Sequence, residues 1–579
     1  MVRKALALVM SATIVMSGCN SALTAIPGPP TPPAATPTTA SAAIKHVVVI
    51  FDENISFDHY FGTYPNAANT DGQSFTAATG TTVPDNYVSN PSLLTANPNL
   101  NSQNPTPANP FRLSADQAGT GDQDHSYTPE QKAFDAGKMD LFPLSVGTAD
   151  GLPLQTETNA PALANTQALT MAYYDGNTVT ALWNYAQQYA MNDHSFGTTF
   201  GASTQGAINL VSGQTNGVVP GYPVGADSGV TPDGVGGFTL TDDEDPTGDI
   251  CSSTSANVSM SNIAGPFASI TNKNIGDLLN NAGITWGFFE GGFNLSITNT
   301  ASNGTTTTGC GRSTGAVNIP GHPLKADYIP HHEPFQYYAS TANPMHNRPS
   351  STAAIGTTDA ANHQYDSVDF NTALAAGNLP AVSFLKAPGY QDGHAGYSDP
   401  LDEQTWLVNE INEIEKSSFW PNTAIIIAYD DSDGWYDHAT DLVNGSASAA
   451  DLLNGNGLCN STGTATASPT SALPGPNSNG KPVAGRCGHG PRLPLLVLSP
   501  WARKNYVDTT PTDQASIPRF IEDIFLGGTR IGSGSFDASA GALTAMFDFS
   551  NAAAPPNPTP LYLSPTTGKV CSPATAACK

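Results

Sequence analysis

The feature that most constrains the fold is a short apolar run that ends abruptly in acidic and amide side chains. Residues 44–61 read IKHVVVIFDENISFDHYF, in which apolar residues from Val47 to Phe51 precede Asp52, Glu53 and Asn54. A continuous apolar run without alternation is typical of a strand that is buried on both faces. Such strands in open α/β sheets carry functional residues at their carboxyl ends. The sequence therefore predicts a buried strand that presents these polar groups at a site.

The same pattern recurs far along the chain. Residues 423–433 read TAIIIAYDDSD, an apolar run that ends at Asp430 and Asp431. If the two strands lie parallel in one sheet, their acidic ends meet at one edge, where Glu53 and Asn54 can join them around a divalent cation. Oxygen donors of these types fit Ca, Mg, Mn, Fe or Zn, so the sequence selects no single metal. The alternative is that each polar cluster forms its own turn or caps its own helix.

A third stretch places small residues before a predicted helix. Residues 195–213 read SFGTTFGASTQGAINLVSG, which predicts a tight turn near Gly201 followed by an apolar helical face. A hydroxyl at a helix N-terminus lies near free N–H groups and the positive end of the helix dipole, which favour a phosphoryl anion. Ser203 is therefore a candidate nucleophile and Thr204 its rival. The alternative is that Ser203 only caps the helix, which is the commonest use of serine there.

Several loop histidines and one lysine could serve the same chemistry. The histidines are His125, His331, His332 and His394. A lone loop histidine is usually a surface residue, but beside a metal and a serine it can donate a proton to a leaving oxygen. Lys386, in the strand-like residues 381–389, could stabilise phosphate oxygens. Protonated histidines in this role predict an acidic pH optimum.

Composition and length narrow the class of protein. The 48 Asp and Glu residues outnumber the 21 Lys and Arg, and the net charge of -27 argues against nucleic acid as a partner and against a basic membrane-binding patch. The 579 residues can form one large α/β domain with long loop insertions. We place this domain at residues 44–530, with insertions near residues 214–262, 294–327 and 439–487. Residues 531–579 are expected to form a loosely packed tail.

The first residues predict export. Arg3 and Lys4 precede an apolar segment that is too short to span a membrane. Residues 16–19, MSGC, resemble a bacterial lipobox, so residues 1–19 are predicted to be a lipoprotein-type signal peptide and residues 20–43 a Pro/Thr/Ala-rich tether. The protein would be periplasmic or on the cell surface, with Cys19 as its lipid anchor and its one membrane contact. Ordinary secretion is the alternative, because Met16 is less usual than leucine at the first lipobox position.

Six cysteines follow Cys19, and an even number suggests disulfides in an exported chain. They lie in stretches rich in Gly, Ser, Thr and Asn, without the spacing of a zinc site. We expect each pair to close an insertion or the tail, which gives Cys251–Cys310, Cys459–Cys487 and Cys571–Cys578.

Several motifs occur in the order found in one bacterial family. HVVVIFDENISFDHYFG, DHSYTPEQKAFDAGKMD, FGASTQGAINLVSG, PHHEPFQYY and AIIIAYDDSDGWYDH resemble the phosphoesterase family that contains the non-haemolytic phospholipases C and a group of respiratory-burst-inhibiting acid phosphatases. The resemblance spans about residues 44–525. It implies a core similar to the alkaline-phosphatase superfamily, with a mixed, mostly parallel sheet flanked by helices.

The resemblance also implies roles for individual residues. Ser203 matches the family's nucleophile. The matches to the ligands of one divalent metal ion are Glu53, Asn54, Asp430 and Asp431. The matches to the phosphate-pocket histidines are His125, His331, His332 and His394. Lys386 and Asp140, which ends the second motif, are predicted to bind substrate.

These observations predict a metal-dependent phosphoesterase that forms a phosphoseryl intermediate. The segment FDENISFDH lacks the arginine of the family's common pattern, and Asp430–Asp431 replaces its frequent Asp–Glu pair. Both departures favour an acid-phosphatase-like phosphomonoesterase over a phospholipase C, the alternative, so the substrate is a small phosphoester or a phospholipid. A further hypothesis is a catalytically silent binding lipoprotein. The sequence does not indicate the oligomeric state.

Overall fold

The computed structural model describes most of the chain. The described residues are 38–147, 161–225, 228–232, 237–260, 273–301, 303–319, 323–441, 485–532, 534–573, 575 and 578. Their helices in chain order are α1 (Ala40–Ala43), α2 (Phe57–Phe61), α3 (Tyr127–Phe134), α4 (Phe142–Ser145), α5 (Thr180–Gln188), α6 (Ser203–Ser212), α7 (Ile275–Ala282), α8 (Ser367–Ala375), α9 (Pro400–Lys416) and α10 (Ser516–Phe525).

The strands of the described residues are mostly short. In chain order they are β1 (His46–Asp52), β2 (Phe111–Arg112), β3 (Ala172–Tyr173), β4 (Ala190–Asn192), β5 (Ser195–Phe196), β6 (Asn216–Pro220), β7 (Val230–Pro232), β8 (Phe238–Leu240), β9 (Asp245–Pro246), β10 (Asn257–Met260), β11 (Trp286–Glu290), β12 (Thr298–Thr300), β13 (Thr306–Thr308), β14 (Gln364–Asp366), β15 (Val382–Lys386), β16 (Thr423–Tyr429), β17 (Leu495–Leu498), β18 (Tyr506–Asp508) and β19 (Thr512–Asp513).

An eight-stranded sheet forms the centre of the molecule, in the order β14–β11–β15–β1–β16–β17–β4–β18. Within this sheet β17 runs antiparallel to both of its neighbours, and the other adjacent strands pair in parallel. Helices α5, α8 and α9 pack together, and α6, α7 and α10 form a second group. The prediction of an α/β fold with a mixed, mostly parallel sheet flanked by helices is confirmed.

The two predicted apolar strands lie side by side in this sheet. β1 pairs in parallel with β16, from His46 opposite Thr423 to Asp52 opposite Tyr429. All of β16, and all of β1 except His46, is buried. Both strands are covered on two faces, which is why their sequences are apolar without alternation. Their acidic ends therefore lie at the same edge of the sheet, as predicted.

The predicted loop insertions differ from one another in the structure. Residues 214–262 are not only a loop, because their described part contains a five-stranded sheet in the order β7–β8–β6–β10–β9, with Leu240 and Val258 buried. Strands this short produce no clear periodicity, so the sequence did not reveal them. Residues 294–327 contain the β12–β13 hairpin. Residues 442–484, most of the third insertion, lie outside the described residues.

The chain ends also differ from expectation. The predicted signal peptide and the tether up to residue 37 lie outside the described residues. The end of the predicted tether forms α1, whose Ala43 is buried, so the tether is shorter than predicted. The expectation of a loosely packed tail is wrong, because Leu563 is buried and its N–H donates to Asn412 Oδ1 at 3.1 Å. Among the described helices, none has the length and apolar character that crossing a membrane requires.

Two of the three predicted disulfides are confirmed, Cys251–Cys310 and Cys571–Cys578. The first joins the segment between β9 and β10 to the residues that follow β13. The predicted Cys459–Cys487 pair cannot be assessed in the same way because Cys459 lies outside the described residues.

Buried acids make the stability of this fold depend on pH. Glu415 of α9 is 2% exposed and accepts a hydrogen bond from the Tyr189 hydroxyl at 2.6 Å, and burial raises its pKa to about 8 from 4.5. The folded state therefore holds this proton more tightly than the unfolded state. The stability that Glu415 contributes is highest below pH 4.5 and falls as the pH rises to about 8. We expect a decrease of up to about 1.4 kcal/mol per pH unit from this group within that window.

Thermal melts between about pH 5 and pH 8 test this expectation. Glu415→Gln removes the titrating proton but keeps an acceptor for Tyr189, so it should flatten the pH dependence. Glu413→Gln on the same helix changes an exposed residue and should leave the wild-type slope. Equal slopes for all three proteins would contradict the assignment.

Candidate active site

The acidic ends of β1 and β16 meet in a buried cluster. The Asn54 N–H donates to Asp430 Oδ1 at 3.0 Å, and the Ile55 N–H donates to the Asp431 carbonyl at 2.9 Å. Burial, and then repulsion by Asp430, raises the pKa of Glu53 well above its usual range, and burial does the same to Asp431. The structure thus brings the four predicted metal ligands together, as the parallel pairing of the strands requires.

Ser203 lies at the first position of α6 and faces this cluster. Its Oγ is 3.1 Å from Glu53 Oε2, 3.1 Å from Asp431 Oδ2 and 3.4 Å from Asn54 Oδ1, and the residue is buried. The N-cap residue of α6 is Ala202, so the alternative that Ser203 caps the helix is wrong. The predicted nucleophile and the predicted metal ligands therefore occupy one site.

Thr204, the rival nucleophile, faces a different group. Its N–H and its hydroxyl both donate to Asp243 Oδ1, at 2.9 and 2.8 Å. Asp243 belongs to the segment between β8 and β9, within the insertion. Because the Thr204 hydroxyl is hydrogen-bonded to this carboxylate, the Ser203 hydroxyl is the one that faces the acidic cluster.

Lys386 at the end of β15 is a buried cation inside the same cluster. Its ammonium pairs closely with Glu53 Oε1 and lies 3.8 Å from Asp430 Oδ2. Burial lowers the pKa of Lys386, but the charges of Glu53, Asp430 and Asp392 outweigh burial and raise that pKa above its usual value. The lysine therefore stays charged beside the predicted metal ligands.

His125 and His394 approach the cluster from two loops. Their ring centroids are 5.9 Å apart, and His125 Nε2 is 3.4 Å from Asn54 Nδ2. Burial lowers the pKa of His125, but the charges of Asp431, Asp122 and Asp433 outweigh burial and raise it well above its usual value. Burial, followed by the charge of His125, lowers the pKa of His394. The pKa values of the two neighbouring histidines are therefore shifted in opposite directions.

The adjacent histidines of the PHHEP motif face two different groups. His332 Nδ1 lies 3.3 Å from Glu53 Oε1, and burial, then the charge of Lys386, lowers its pKa well below the usual value. His331 Nδ1 lies 3.3 Å from Asp245 Oδ1 and its Nε2 3.8 Å from Asp243 Oδ2. His332 therefore belongs to the buried centre, and His331 connects that centre to the inserted sheet.

Asp140 does not join the cluster in the described residues. Its carbonyl accepts hydrogen bonds from the amides of Asn101 and Asn104, and its carboxyl group interacts with that of Asp135. Burial, followed by the charge of Asp135, raises its pKa. These contacts give no support to the predicted role of Asp140 in substrate binding.

Three groups among the described residues have possible ligand atoms within 4.8 Å of one another: His125–His394–Asp433, Asp249–Cys251–His346 and Asp58–Asp437–His438. Cys251 is in a disulfide. Arg492 pairs with both Asp58 and Asp437 and supplies the positive charge there. The first group borders the Ser203 cluster and adds Asp433, which was not among the predicted ligands.

The polar atoms around Ser203 fit a cation. Asp430 Oδ2 is buried without a hydrogen-bond partner among the described residues. Asn54 Oδ1, as oriented towards Ser203, faces acceptor atoms; with the amide turned over, its nitrogen donates to Glu53 Oε2 at 2.6 Å and Asp430 Oδ1 at 3.1 Å. Buried oxygens facing one another are stabilised by a hard divalent ion.

Glu130 of α3 connects the two halves of the site. Its Oε2 accepts the Gly201 N–H at 2.8 Å, and its Oε1 accepts the Ser432 hydroxyl at 2.8 Å. Gly201 lies in the turn before Ser203, and Ser432 follows Asp431. One buried carboxyl group therefore holds the proposed nucleophile against the acidic end of β16.

We expect Glu130→Gln to lower kcat about tenfold with little change in KM, because an amide nitrogen cannot replace the second acceptor and leaves one of the two donors unpaired. Steady-state kinetics on a chromogenic phosphate ester would measure this. Glu413→Gln, an exposed change of the same kind, is the matched control and should be neutral. An unchanged kcat for Glu130→Gln would show that this bridge does not position Ser203.

Sequence reasoning missed Glu130, Asp243 and Asp433 as residues of the site. Glu130 lies in the segment DHSYTPEQKAFDAGKMD, and its place in that motif is the signal that could have identified it. Asp433 stands two residues after Asp431 in the acidic end of the strand. Asp243 lies in the predicted insertion, where no pattern in the sequence connects it to α6.

A buried serine that faces carboxylates and histidines at the carboxyl edge of an α/β sheet is typical of the α/β enzymes that hydrolyse esters. The model of the Phosphoesterase family matches residues 44–526. The chain therefore belongs to the phosphoesterase family.

Characterised relatives carry phospholipase C names. The chain is 30% identical over 200 residues to the non-hemolytic phospholipase C of Pseudomonas aeruginosa, which covers 34% of this chain and 27% of that protein. It is 30% identical over 181 residues to the non-hemolytic phospholipase C of Burkholderia pseudomallei, covering 30% and 24%. Phospholipase C A of Mycobacterium tuberculosis is 23% identical over 533 residues, covering 90% of this chain and 80% of that protein. The chain thus spans about a quarter of the length of the first two relatives.

Proposed function

We propose that this protein hydrolyses phosphate esters through Ser203, with phosphate monoesters as its main substrates and an alkaline-phosphatase-like core as its scaffold. The observation that carries the proposal is the Ser203 hydroxyl at the start of α6, 3.1 Å from Glu53 Oε2 and from Asp431 Oδ2. A serine in this position can lose its proton to a carboxylate while it attacks phosphorus, and the helix N-terminus favours the anionic phosphoryl group.

The reaction proceeds in two steps. In the first, Ser203 Oγ forms a bond to phosphorus, the bond to the leaving oxygen breaks, and Asp431 accepts the serine proton. His125, which the surrounding carboxylates keep protonated, donates a proton to the leaving alcohol. In the second, His125 takes a proton from the water that attacks the phosphoserine, and Asp431 returns its proton to the Ser203 oxygen as phosphate leaves. His332 and His394 line the pocket for the phosphoryl group, with their Nδ1 atoms directed at Glu53 Oε1 and at the Ala395 carbonyl.

One divalent cation completes the proposal, held by Glu53, Asn54, Asp430 and Asp431. A cation bound there lowers the pKa of a hydroxyl and neutralises charge on a phosphoryl oxygen. Lys386 pairs with Glu53 and opposes the rise in the pKa of that carboxyl group, so we assign to this lysine charge balance in place of the predicted contact with substrate.

Phospholipase C activity is the second candidate, because the relatives described above carry that name. Its substrate would be a phospholipid diester, and Ser203 would expel the lipid alcohol by the same first step. The departures in the motifs around Asn54 and Asp431 favour the monoester.

Parallel assays on 4-nitrophenyl phosphate and on a choline phospholipid separate these candidates. The metal-loaded protein should hydrolyse the monoester faster, lose activity after chelation, and regain it with one of Ca, Mg, Mn, Fe or Zn. Elemental analysis of the purified protein identifies the ion it carries. A faster reaction with the phospholipid would select the second candidate, and inactivity on a broad ester panel would favour a silent binding lipoprotein.

We also propose that the protein is exported and anchored through Cys19. The apolar segment after Arg3 and Lys4 and the lipobox-like residues 16–19 support this proposal. Metabolic labelling with a fatty acid should mark the wild type and not Cys19→Ser. Equal labelling of the two would end the anchoring proposal, and a free extracellular protein would indicate ordinary secretion.

A further inference from the structure

Cations are scarce in this protein, and those near the site have acidic partners. Lys386 pairs with Glu53, Arg492 with Asp58, and Arg312 with Asp327. Lys325 differs from them, because its ammonium forms no ion pair with any described residue and instead lies 4.6 Å from the centre of the Tyr397 ring. A half-buried ammonium without a carboxylate partner is available for an anionic ligand.

The aromatic ring of Tyr397 lies between Lys325 and His394 of the candidate active site. The Tyr397 ring stacks on His394 with centroids 4.4 Å apart, and its hydroxyl donates to Asp392 Oδ2 at 3.2 Å. The contacts that run from the Lys325 ammonium through the Tyr397 ring therefore end at His394, one of the histidines of the site.

The segment that carries Lys325 is fixed in place. Ala326 pairs with Ser313 in a β-bridge. The Asp327 N–H donates to the Arg312 carbonyl at 2.7 Å, and the Arg312 guanidinium returns a bond to Asp327 Oδ2 at 3.0 Å. The Cys251–Cys310 disulfide ties this region to the inserted sheet. A lysine on an ordered segment loses less entropy when it binds a ligand than one on a free loop.

We infer that Lys325 and Tyr397 form a subsite for a second anionic group on the substrate, so that the enzyme prefers phosphate esters whose leaving group carries a carboxylate or another phosphate. This inference rests on the proposed phosphoester hydrolysis at Ser203. The Tyr397 ring separates Lys325 from His394, so an anion bound by Lys325 would belong to a different part of the substrate from the phosphoryl group beside Ser203. An ammonium gains about tenfold in affinity from a partly exposed anionic partner, and salt weakens that gain.

Two compounds that differ by one carboxylate test the subsite, phenyl phosphate and 4-carboxyphenyl phosphate. Calorimetric titration of Ser203→Ala protein measures their binding without turnover. The carboxylated compound should bind about tenfold more tightly. Adding Lys325→Met should remove the preference while keeping an aliphatic chain on the Tyr397 ring, and Lys325→Arg should retain it. Lys504→Met is the matched control, because Lys504 is exposed on the segment that follows β17, at the opposite edge of the sheet.

Equal affinity for the two compounds, undetectable binding of the carboxylated one, or a preference that survives Lys325→Met would overturn the inference. A loss of affinity for both compounds in Lys325→Met would show that the lysine binds the phosphoryl group or only supports Tyr397, and would overturn it too. Wild-type protein that shows the binding preference but hydrolyses neither compound would refute the proposed function and leave the subsite standing.

Discussion

Ser203→Ala is expected to lower kcat for phosphate ester hydrolysis by at least about a thousandfold, because removal of an attacking hydroxyl leaves only substrate binding and charge stabilisation. The buried Ser203 Oγ, 3.1 Å from two carboxylate oxygens, has no neighbour in an equivalent position, since the Thr204 hydroxyl donates to Asp243. Steady-state assays on 4-nitrophenyl phosphate measure the decrease. Rapid acid quenching and mass spectrometry of the wild type should also find phosphate on the peptide that contains Ser203.

Ser212→Ala is the matched control for this experiment. Ser212 is also buried on α6, but its hydroxyl donates to the carbonyls of Ile208 and Gln214. Its loss should cost about 1 kcal/mol of stability and leave kcat near the wild-type value. Undiminished hydrolysis by Ser203→Ala would end the proposal of Ser203 as nucleophile, and a large loss in Thr204→Val with an active Ser203→Ala would transfer the role to Thr204.

The centre of the site could be predicted from the sequence because each element has a strong local signal. β1 and β16 are apolar without alternation and end in acids, and burial on both faces allows few other arrangements. Parallel pairing then fixes the acids at one edge. The small residues before Ser203 similarly predict a turn into a helix. These signals lie within short windows, which is where single-sequence reasoning is strongest.

The residues around the centre of the site could not be predicted, because their positions depend on contacts between segments that are distant in sequence. Asp243 reaches Thr204 from a sheet whose strands are two to five residues long. Lys325 lies in another insertion, and its position depends on Arg312 and a disulfide. Asp140 stands in a family motif, yet its contacts are with Asn101 and Asn104. Motif membership alone therefore did not place a side chain in the site.

The site contains many buried carboxyl groups, so the fold needs positive charges or protons next to them. Buried carboxylates cost several kcal/mol each unless they are protonated or paired with a positive charge. Lys386 and His125 supply two positive charges next to Glu53 and Asp431. Buried Asp392, whose pKa burial raises to about 8, avoids the cost by holding a proton. A divalent cation would add the remaining charge, which agrees with a metal-dependent enzyme.

Gly206→Ala is expected to lower kcat about a hundredfold, because α6 lies directly against the acidic end of β16. A Cβ at residue 206 would lie 2.2 Å from the carbonyl oxygen of Asp430, and 2.6 Å from its carbonyl carbon. These are backbone atoms, so a rotamer change cannot relieve the clash. The Gln514 amide also donates to that carbonyl at 2.6 Å and holds it in place. The helix must therefore move away from β16, taking Ser203 out of line with Asp431.

A displacement of about 1 Å at a reacting group can cost about a hundredfold in rate, whereas overpacking costs about 1–3 kcal/mol of folding stability. Gly206→Ala should consequently stay folded at 25 °C, with a lower Tm and a much lower kcat, and bind less of the metal found in the wild type. Gly311→Ala is the matched control, since a Cβ there meets no atom within 4 Å.

Wild-type kcat in Gly206→Ala would show that catalysis does not depend on close contact between α6 and β16. A loss of activity that only follows the unfolded fraction would show that Gly206 serves packing alone. The expected result is a folded protein that has little activity and binds less metal. It would show that α6, which carries Ser203, and the acidic end of β16 act together in catalysis.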